Sequence, residues 1–231
     1  MDIQEPPRAL VFDVIGTLFS LESQRPRLIA CGLPAHALEG WFAASLRDLF
    51  ALGVTGRTAP MIAVLQDNLH HLLALNHLRQ DGSRVAAVME GMRQLEPDPH
   101  AQAALEMLQS HGLACAALSN GSLKATEVLI ERAGLNRFFS QVLSIDTVGL
   151  PKPRPEVYRA MATRLQLEPD RLMMVAAHPW DLHGARSAGL STAYISRGLP
   201  WPATFDAPDL TAPNFMDLAH LVCRKTVQAS A

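Results

Sequence analysis

Short apolar runs alternate with amphipathic segments along most of the chain, and this alternation restricts the fold more than any other feature. The segments at 122–134 and 155–167 have the apolar spacing of helices that cover one face of a sheet. The runs lack the period-two pattern of a half-exposed strand, which indicates strands that are buried on both faces. We therefore predict an α/β fold with a parallel sheet. The apolar runs are "ALVF" (9–12), "LACAAL" (113–118), "QVLSI" (141–145), "LMMVAA" (172–177) and "STAYIS" (191–196).

The alternation is interrupted between residues 21 and 97, where the sequence reads as one helix after another. Breaks that contain glycine separate these helical segments, and "EPDPH" (96–100) marks the return to the alternating pattern. We predict a helical cap at 21–97, inserted into a core domain built from 1–20 and 98–231. The helical segments lie at 35–53, 59–80 and 83–95.

The composition argues against several classes of partner. A formal net charge of −2 over 231 residues offers no electrostatic footprint for nucleic acid or an anionic membrane. The apolar runs are shorter than the ~20 residues of a membrane-spanning helix, and "MDIQEPPR" lacks the apolar stretch of a secretory signal. Cys31, Cys115 and Cys223 are widely spread, which favours a reducing, cytoplasmic compartment. We expect the tail "VQASA" (227–231) to be frayed.

Polar side chains stand where the predicted strands end. Ligands of an open parallel sheet bind in the crevice beyond the carboxyl ends of its strands, so these side chains are expected to converge. Each has a plain structural explanation, such as capping a helix, but their joint occurrence favours a functional site. They are Asp13 and Thr17 after the first run, Ser119 and Asn120 after the second, Lys152 before the helix at 155–167, and His178, Trp180 and Asp181 after the fourth run.

This set of side chains has the chemistry of a hydrolase that works through a covalent ester. Asp13 can attack as a nucleophile, and the ammonium of Lys152 would favour its ionised form. Thr17 and Ser119 can hold the carboxylate and an anionic substrate in line. Asp181 can then help activate the water that opens the ester.

Four motifs occur in the order and spacing typical of the haloacid dehalogenase superfamily: "FDVIGTLF" (12–19), "LSNGS" (118–122), "KPRPEVY" (152–158) and "VAAHPWDLHGARSAGL" (175–190). Within that superfamily, the chain most resembles the type II 2-haloacid dehalogenases. The resemblance implies a Rossmann-like core with a helical cap, and a homodimer. The roles it implies are nucleophile for Asp13, carboxylate positioning for Thr17 and Ser119, cationic partner for Lys152, a place near the leaving group for Asn120, substrate binding for Tyr158, and positioning or activation of water for Asp181.

Ile15 stands where the phosphatases that share this nucleophile motif carry a second aspartate. An isoleucine cannot protonate a leaving alkoxide, so the residue fits a leaving group such as halide, which departs without a proton. The fourth motif offers Asp181 alone, whereas Mg²⁺ gathers several carboxylate oxygens. Because Lys152 can neutralise Asp13 without a metal, we predict a reaction without Mg²⁺ or any other cofactor.

Three positions depart from the pattern of the type II enzymes. Ile15 replaces a common aromatic residue, and His178 stands where an asparagine is common. The histidine can serve as a hydrogen-bonding group or as a base that activates water. The arginine that grips the halide in these enzymes would fall near Phe42, and the nearest arginine is Arg47. Five residues of helix place Arg47 about 140° away from the face of Phe42.

The sequence leaves three hypotheses for the halide site. Either Arg47 serves through a shifted alignment, or Asn120, Phe42 and Trp180 hold the halide, or the substrate carries no halide at all.

We predict a hydrolase that displaces halide from short 2-haloalkanoic acids, a class of small carboxylic acids. The resemblance implies a preference for the L (S) enantiomer and inversion at C2. A second hypothesis is a related enzyme that opens a strained ring such as azetidine-2-carboxylate, for which no halide grip is needed. A magnesium phosphatase is a third hypothesis, and a non-catalytic binding protein on the same fold is a fourth.

Overall fold

The computed structural model describes residues 6–229, with side chains described up to residue 226. The tail that we expect to be frayed, residues 227–231, lies outside the described side chains. None of the helices in the described part of the chain has the length and apolar content needed to cross a bilayer.

Eight strands form two sheets in the described part of the chain. In chain order they are β1 (Ala9–Asp13), β2 (Phe19–Ser20), β3 (Glu96–Pro97), β4 (Ala114–Ser119), β5 (Phe139–Ser144), β6 (Leu172–Ala176), β7 (Ser191–Ile195) and β8 (Leu210–Ala212). Six of them form the main, parallel sheet, in the order β5-β4-β1-β6-β7-β8. All five predicted strands are confirmed, and the short edge strand β8 is an addition to this sheet.

Helices cover both faces of this sheet, as the sequence predicts for an α/β fold. The helices are α1 (Arg25–Ala30), α2 (Ala37–Val54), α3 (Met61–Leu75), α4 (Gly82–Gly91), α5 (Ala101–Ser110), α6 (Leu123–Arg132), α7 (Ile145–Val148), α8 (Pro155–Leu165), α9 (Pro179–Ser187) and α10 (Phe215–Ala229). Single turns of 3-10 helix lie at Glu22–Gln24, Asn136–Phe138 and Pro169–Arg171.

The central strand β1 shows why the sheet is buried on both faces. Leu10 and Phe12 pack into the larger hydrophobic core, while Ala9 and Val11 pack into a second core on the opposite face. All four side chains are fully buried. Strands with two covered faces need apolar residues at every position, which explains the absence of alternation in the sequence.

Helices α1 to α4 lie within residues 21–97, the segment that we propose as a cap. The two short strands β2 and β3 pair antiparallel at the two ends of this segment, with Phe19 opposite Pro97. Within it, α2 packs on α3, where the buried indole of Trp41 donates a hydrogen bond of 2.8 Å to the Leu65 carbonyl. The cap helices therefore join the sheet domain close to the end of β1.

Candidate active site

Asp13 is the last residue of β1, the strand that lies between β4 and β6. It pairs in register with Leu118, so Ser119 and Asn120 follow at the same edge of the sheet. The segment after β6 reaches this edge as well and carries His178, Trp180 and Asp181. The carboxyl ends of three neighbouring strands thus bring the predicted side chains together.

A tight loop turns the chain back immediately after Asp13. Gly16 has φ +83°, a conformation that glycine adopts without strain, and a Cβ there would lie 2.6 Å from the His178 ring. The turn places Thr17 Oγ1 2.6 Å from Asp13 Oδ2, to which the hydroxyl donates. The Ala177 amide donates to the same hydroxyl at 3.0 Å, so the loop is held to the end of β6.

Lys152 is fully buried, and its ammonium lies between two carboxylates. Nζ donates to Asp13 Oδ1 and to Asp181 Oδ2, both at 2.7 Å, and to the Leu118 carbonyl at 3.1 Å. The three donors of the ammonium therefore all have acceptors. Asn120 braces the backbone at this residue, because its Oδ1 accepts from the Lys152 amide at 2.9 Å.

The two buried acids have different pKa values because their partners differ. Burial raises the pKa of Asp13, but the Lys152 charge and the hydrogen bond with His178 outweigh burial, so the pKa lies well below the ordinary value. For Asp181, burial and the nearby Asp13 charge raise the pKa despite Lys152. Burial lowers the pKa of Lys152, yet the two carboxylates raise it above normal. Asp13 is thus held in its ionised form, and Asp181 is the stronger base of the two.

Tyr158 contacts Asp181 rather than the crevice. It is fully buried on α8, and its hydroxyl donates to Asp181 Oδ1 at 2.6 Å. The substrate-binding role that the resemblance implies for Tyr158 has no contact to support it here, because α8 packs against α9 and directs the ring to that acid. The tyrosine positions Asp181.

His178 stands at the boundary between the buried acids and open space. Its Nδ1 lies 2.9 Å from Asp13 Oδ2, and about a fifth of its side chain is exposed. The ring stacks on Trp180, with centroids 5.5 Å apart, and lies 5.9 Å from the Phe42 ring of the cap. His178, Phe42 and Gly16 line a cleft of about 380 Å³.

Ser119 and Ile15 lie at the two turns that surround Asp13. Ser119 is fully buried, and its Oγ accepts from the Gly121 amide at 2.9 Å, so this hydrogen bond fixes the turn before α6. Ile15 is half-buried and lines an apolar cavity of about 100 Å³ together with Met61 and Leu65 of the cap. The side chain at Ile15 therefore offers apolar contact where a second acid would offer a proton.

The sequence profile of the haloacid dehalogenase-like hydrolases matches residues 7–189, which is most of the chain. The chain belongs to the haloacid dehalogenase-like hydrolases. It is 30% identical over 196 residues to (S)-2-haloacid dehalogenase 2 of Pseudomonas sp. (strain CBS-3), covering 82% of this chain and 84% of that protein.

Two solved structures show the same fold over nearly their whole length. The L-2-haloacid dehalogenase from Xanthobacter autotrophicus with chloropropionic acid covalently bound has a TM-score of 0.83 and 26% identity, covering 94% of this chain and 98% of that one. A dehalogenase in an intermediate complex has a TM-score of 0.88 and 27% identity, covering 94% and 97%.

Arg47 does not reach the site of this haloacid dehalogenase-like hydrolase, which corrects its inclusion among the substrate-binding candidates. Its side chain is 68% exposed and pairs with Asp48 at 2.7 Å. Phe42, on the same helix α2, faces His178 instead. The physical reason is the helical twist, because a separation of five residues turns the arginine away from the inner face.

Arg197, which follows β7, also contacts the site, and no sequence motif predicts it. Its guanidinium donates to the Gly16 carbonyl at 2.8 Å and to the Thr17 carbonyl at 2.6 Å, and it pairs with Asp98 at 3.1 Å. Arg197 therefore clamps the loop that carries Thr17. Its left-handed φ of +47° and its contact with this loop both arise only in the folded chain, so no sequence pattern predicts them.

Proposed function

We propose that the chain is an (S)-2-haloacid dehalogenase that hydrolyses short 2-haloalkanoic acids through an ester on Asp13. One observation carries this proposal: Asp13 is buried and ionised, with Lys152 on Oδ1 and Thr17 and His178 on Oδ2. Ile15 lies beside it and has no proton to donate. The similarity to (S)-2-haloacid dehalogenase 2 of Pseudomonas sp. (strain CBS-3) and to the covalent chloropropionate complex of the Xanthobacter enzyme supports the same chemistry.

The first step is a substitution at carbon. A carboxylate oxygen of Asp13 attacks C2 of the haloacid from the side opposite the halogen, and the carbon–halogen bond breaks. The halide leaves with the bonding electron pair, so the leaving group needs no acid. Holding nucleophile and carbon in line supplies much of the acceleration. The product of this step is an ester between Asp13 and the inverted 2-carbon.

The second step is hydrolysis at the aspartyl carbonyl. Water adds to the Asp13 carboxyl carbon, and the raised pKa of Asp181 makes that acid the stronger base in the site. Tyr158 and Lys152 hold its two oxygens at 2.6 and 2.7 Å. The ester then collapses to an (R)-2-hydroxy acid, and Asp13 is regenerated.

Several side chains are suited to the substrate's remaining groups. Asn120 lies beside Lys152, at the turn that leads into α6. We propose that the leaving group or the substrate carboxylate binds at this turn. The rings of Phe42 and Trp180 supply apolar walls around His178. We propose that these walls hold the departing halide in place of an arginine.

The geometry argues against a magnesium phosphatase on three grounds. The position between the Asp13 and Asp181 carboxylates, where a cation could sit, contains the Lys152 ammonium at 2.7 Å from each. Ile15 cannot donate a proton to an alkoxide. Among the side chains described, residues 6–226, no three His, Cys, Asp or Glu are grouped as metal ligands. We keep the prediction of a metal-independent reaction.

A second candidate is hydrolytic opening of a strained cyclic amino acid such as azetidine-2-carboxylate. The observation that favours it is the outward position of Arg47, which leaves Phe42 facing the site. A ring nitrogen that is already protonated leaves as an amine when Asp13 attacks carbon. This reaction needs no halide grip and no acid at the position of Ile15.

Halide release from L-2-chloropropionate tests the proposed function. With EDTA present, we expect wild-type protein to release chloride from the L enantiomer and Asp13→Asn to release none. Turnover of azetidine-2-carboxylate without chloride release would favour the second candidate. Magnesium-dependent hydrolysis of a phosphate ester would contradict both.

We also propose a homodimer in the cytoplasm. The resemblance to the type II enzymes supports the dimer, and the three buried, unpaired cysteines fit a reducing compartment. Light scattering on the purified protein tests the mass, and a monomer at micromolar concentration would contradict the proposal.

A further inference from the structure

The two oxygens of the Asp13 carboxylate are bound unequally. Oδ2 accepts from Thr17 Oγ1 at 2.6 Å and from His178 Nδ1 at 2.9 Å. Oδ1 accepts from Lys152 Nζ at 2.7 Å, its one hydrogen bond among the side chains described, residues 6–226. Each carboxylate oxygen offers about two lone-pair positions, so Oδ2 is fully used and Oδ1 keeps one free. Oδ1 is therefore the oxygen available for attack.

The acceptor fixes the proton on His178. An ionised carboxylate only accepts hydrogen bonds, so Nδ1 must carry hydrogen to lie 2.9 Å from Oδ2. That nitrogen has no lone pair with which to take a proton from water. The other ring nitrogen, Nε2, faces Gly16, where an added Cβ would come within 2.8 Å of it. His178 thus presents Asp13 with a donor and not with a base.

The Thr17 hydroxyl is directed in the same way. It accepts from the Ala177 amide at 3.0 Å, which leaves its hydrogen for Asp13 Oδ2. The Arg197 guanidinium donates to the backbone carbonyls of Gly16 and Thr17, which fixes the backbone that carries the hydroxyl. Both donors to Oδ2 are therefore fixed before any substrate binds, and preorganised donors of this kind stabilise a developing oxyanion.

We propose that Thr17 and His178 form the oxyanion hole for hydrolysis of the Asp13 ester, with His178 acting as a donor and not as the base. This inference rests on the proposed function. After Oδ1 attacks C2, Oδ2 becomes the carbonyl oxygen of the ester. When water adds to the carboxyl carbon, the carbonyl π pair moves onto Oδ2, between the two donors.

The protons balance through Asp181. One proton of the attacking water passes to the Asp181 carboxylate as the new carbon–oxygen bond forms. The bond from the carboxyl carbon to Oδ1 then breaks, and the departing alkoxide of the product takes that proton. The other water proton is released when Asp13 ionises again. The imidazole of His178 keeps its Nδ1 proton throughout.

This arrangement affects the two steps differently. The donors stabilise the resting carboxylate and the tetrahedral oxyanion, but they have less charge to stabilise in the neutral ester. Removing one donor should leave alkylation of Asp13 close to its normal rate and slow hydrolysis of the ester about 100- to 1,000-fold. The ester should then accumulate.

Two substitutions at His178 test whether the side chain acts as a hydrogen-bond donor or as a base. The side-chain amide of asparagine can place an N–H near the position of Nδ1, whereas that of glutamine reaches the position of Nε2. After brief exposure to L-2-chloropropionate, we expect the ester on the Asp13 peptide to accumulate in His178→Gln, detected by mass. His178→Asn should hydrolyse the ester within about tenfold of wild type, since it keeps the donor.

Thr17 provides an independent pair of variants. Thr17→Val should accumulate the ester, and Thr17→Ser should not, with comparable alkylation rates in both. Equal loss of ester hydrolysis in His178→Asn and His178→Gln would show that the imidazole is needed as a base and would overturn the inference. Normal ester hydrolysis in Thr17→Val would overturn it as well. If wild type formed no ester with any short haloacid, the proposed function itself would fail.

Discussion

Lys152 holds the buried acids together, so Lys152→Met should affect stability as well as activity. Nζ makes three hydrogen bonds, two of them to carboxylates that are 4% and 0% exposed. The methionine would leave Asp13 and Asp181 facing each other without a cation. Removing one partner of a buried ion pair lowers the unfolding free energy by about 3–5 kcal/mol. For a protein of this size, that loss corresponds to a Tm decrease of about 6–20 °C.

Urea unfolding at pH 7 measures this loss, with the exposed lysine variant Lys124→Met as a matched control that should stay within about 0.5 kcal/mol of wild type. Adding Asp181→Asn to Lys152→Met removes one of the two buried charges and should restore about 1–3 kcal/mol. A decrease in unfolding free energy below about 1 kcal/mol in Lys152→Met would refute the reasoning, since two buried carboxylates without a cation should destabilise the fold by more than that.

The pH dependence of the same variant has a defined sign. Without the ammonium, the carboxyls in the folded protein have pKa values above those of the unfolded chain. The folded state then binds protons more tightly, so the stability of Lys152→Met should rise as pH falls from 7 to 5. In wild type, the depressed pKa of Asp13 contributes stability that is present above the unfolded pKa and lost at lower pH. Parallel curves for the two proteins would contradict this account.

Three further predictions concern activity. Tyr158→Phe removes the hydroxyl that holds Asp181 at 2.6 Å, so ester hydrolysis should slow about tenfold in single-turnover assays while alkylation stays normal. Arg47→Ala should leave kcat and KM for chloride release within about twofold of wild type, because the exposed ion pair with Asp48 contributes little to stability and does not face the site. A tenfold change in either constant would show that Arg47 takes part in the site. Dialysis against EDTA should leave chloride release unchanged, and restoration by Mg²⁺ after a loss would contradict the role given to Lys152.

The sequence predicts most of the fold because the fold depends on local patterns. The five long strands coincide with the short apolar runs of the sequence, and the helical interruption is visible in the same pattern. β8 was missed because it is a three-residue edge strand, with Thr211 exposed between Leu210 and Ala212. A segment of that length carries too few apolar positions to show a pattern.

The candidate site, like the fold, has one part that sequence patterns predict and another that they do not. Asp13, Lys152 and Asp181 follow from motifs and strand ends, because parallel strands bring their carboxyl ends to one edge. The contact of Tyr158 depends on how α8 packs on α9, and that of Arg197 depends on a loop 180 residues away in sequence. Such long-range packing leaves no local signal.

The origin of the oxygen in the product tests the central claim most directly. With enzyme in excess over L-2-chloropropionate in ¹⁸O water, a single turnover should put ¹⁸O into the carboxyl group of Asp13 and leave the 2-hydroxypropionate unlabelled. That result follows if water attacks the aspartyl carbon of an ester. Appearance of ¹⁸O at C2 of the product in the first turnover, with Asp13 unlabelled, would show direct attack by water on the substrate and would contradict the account.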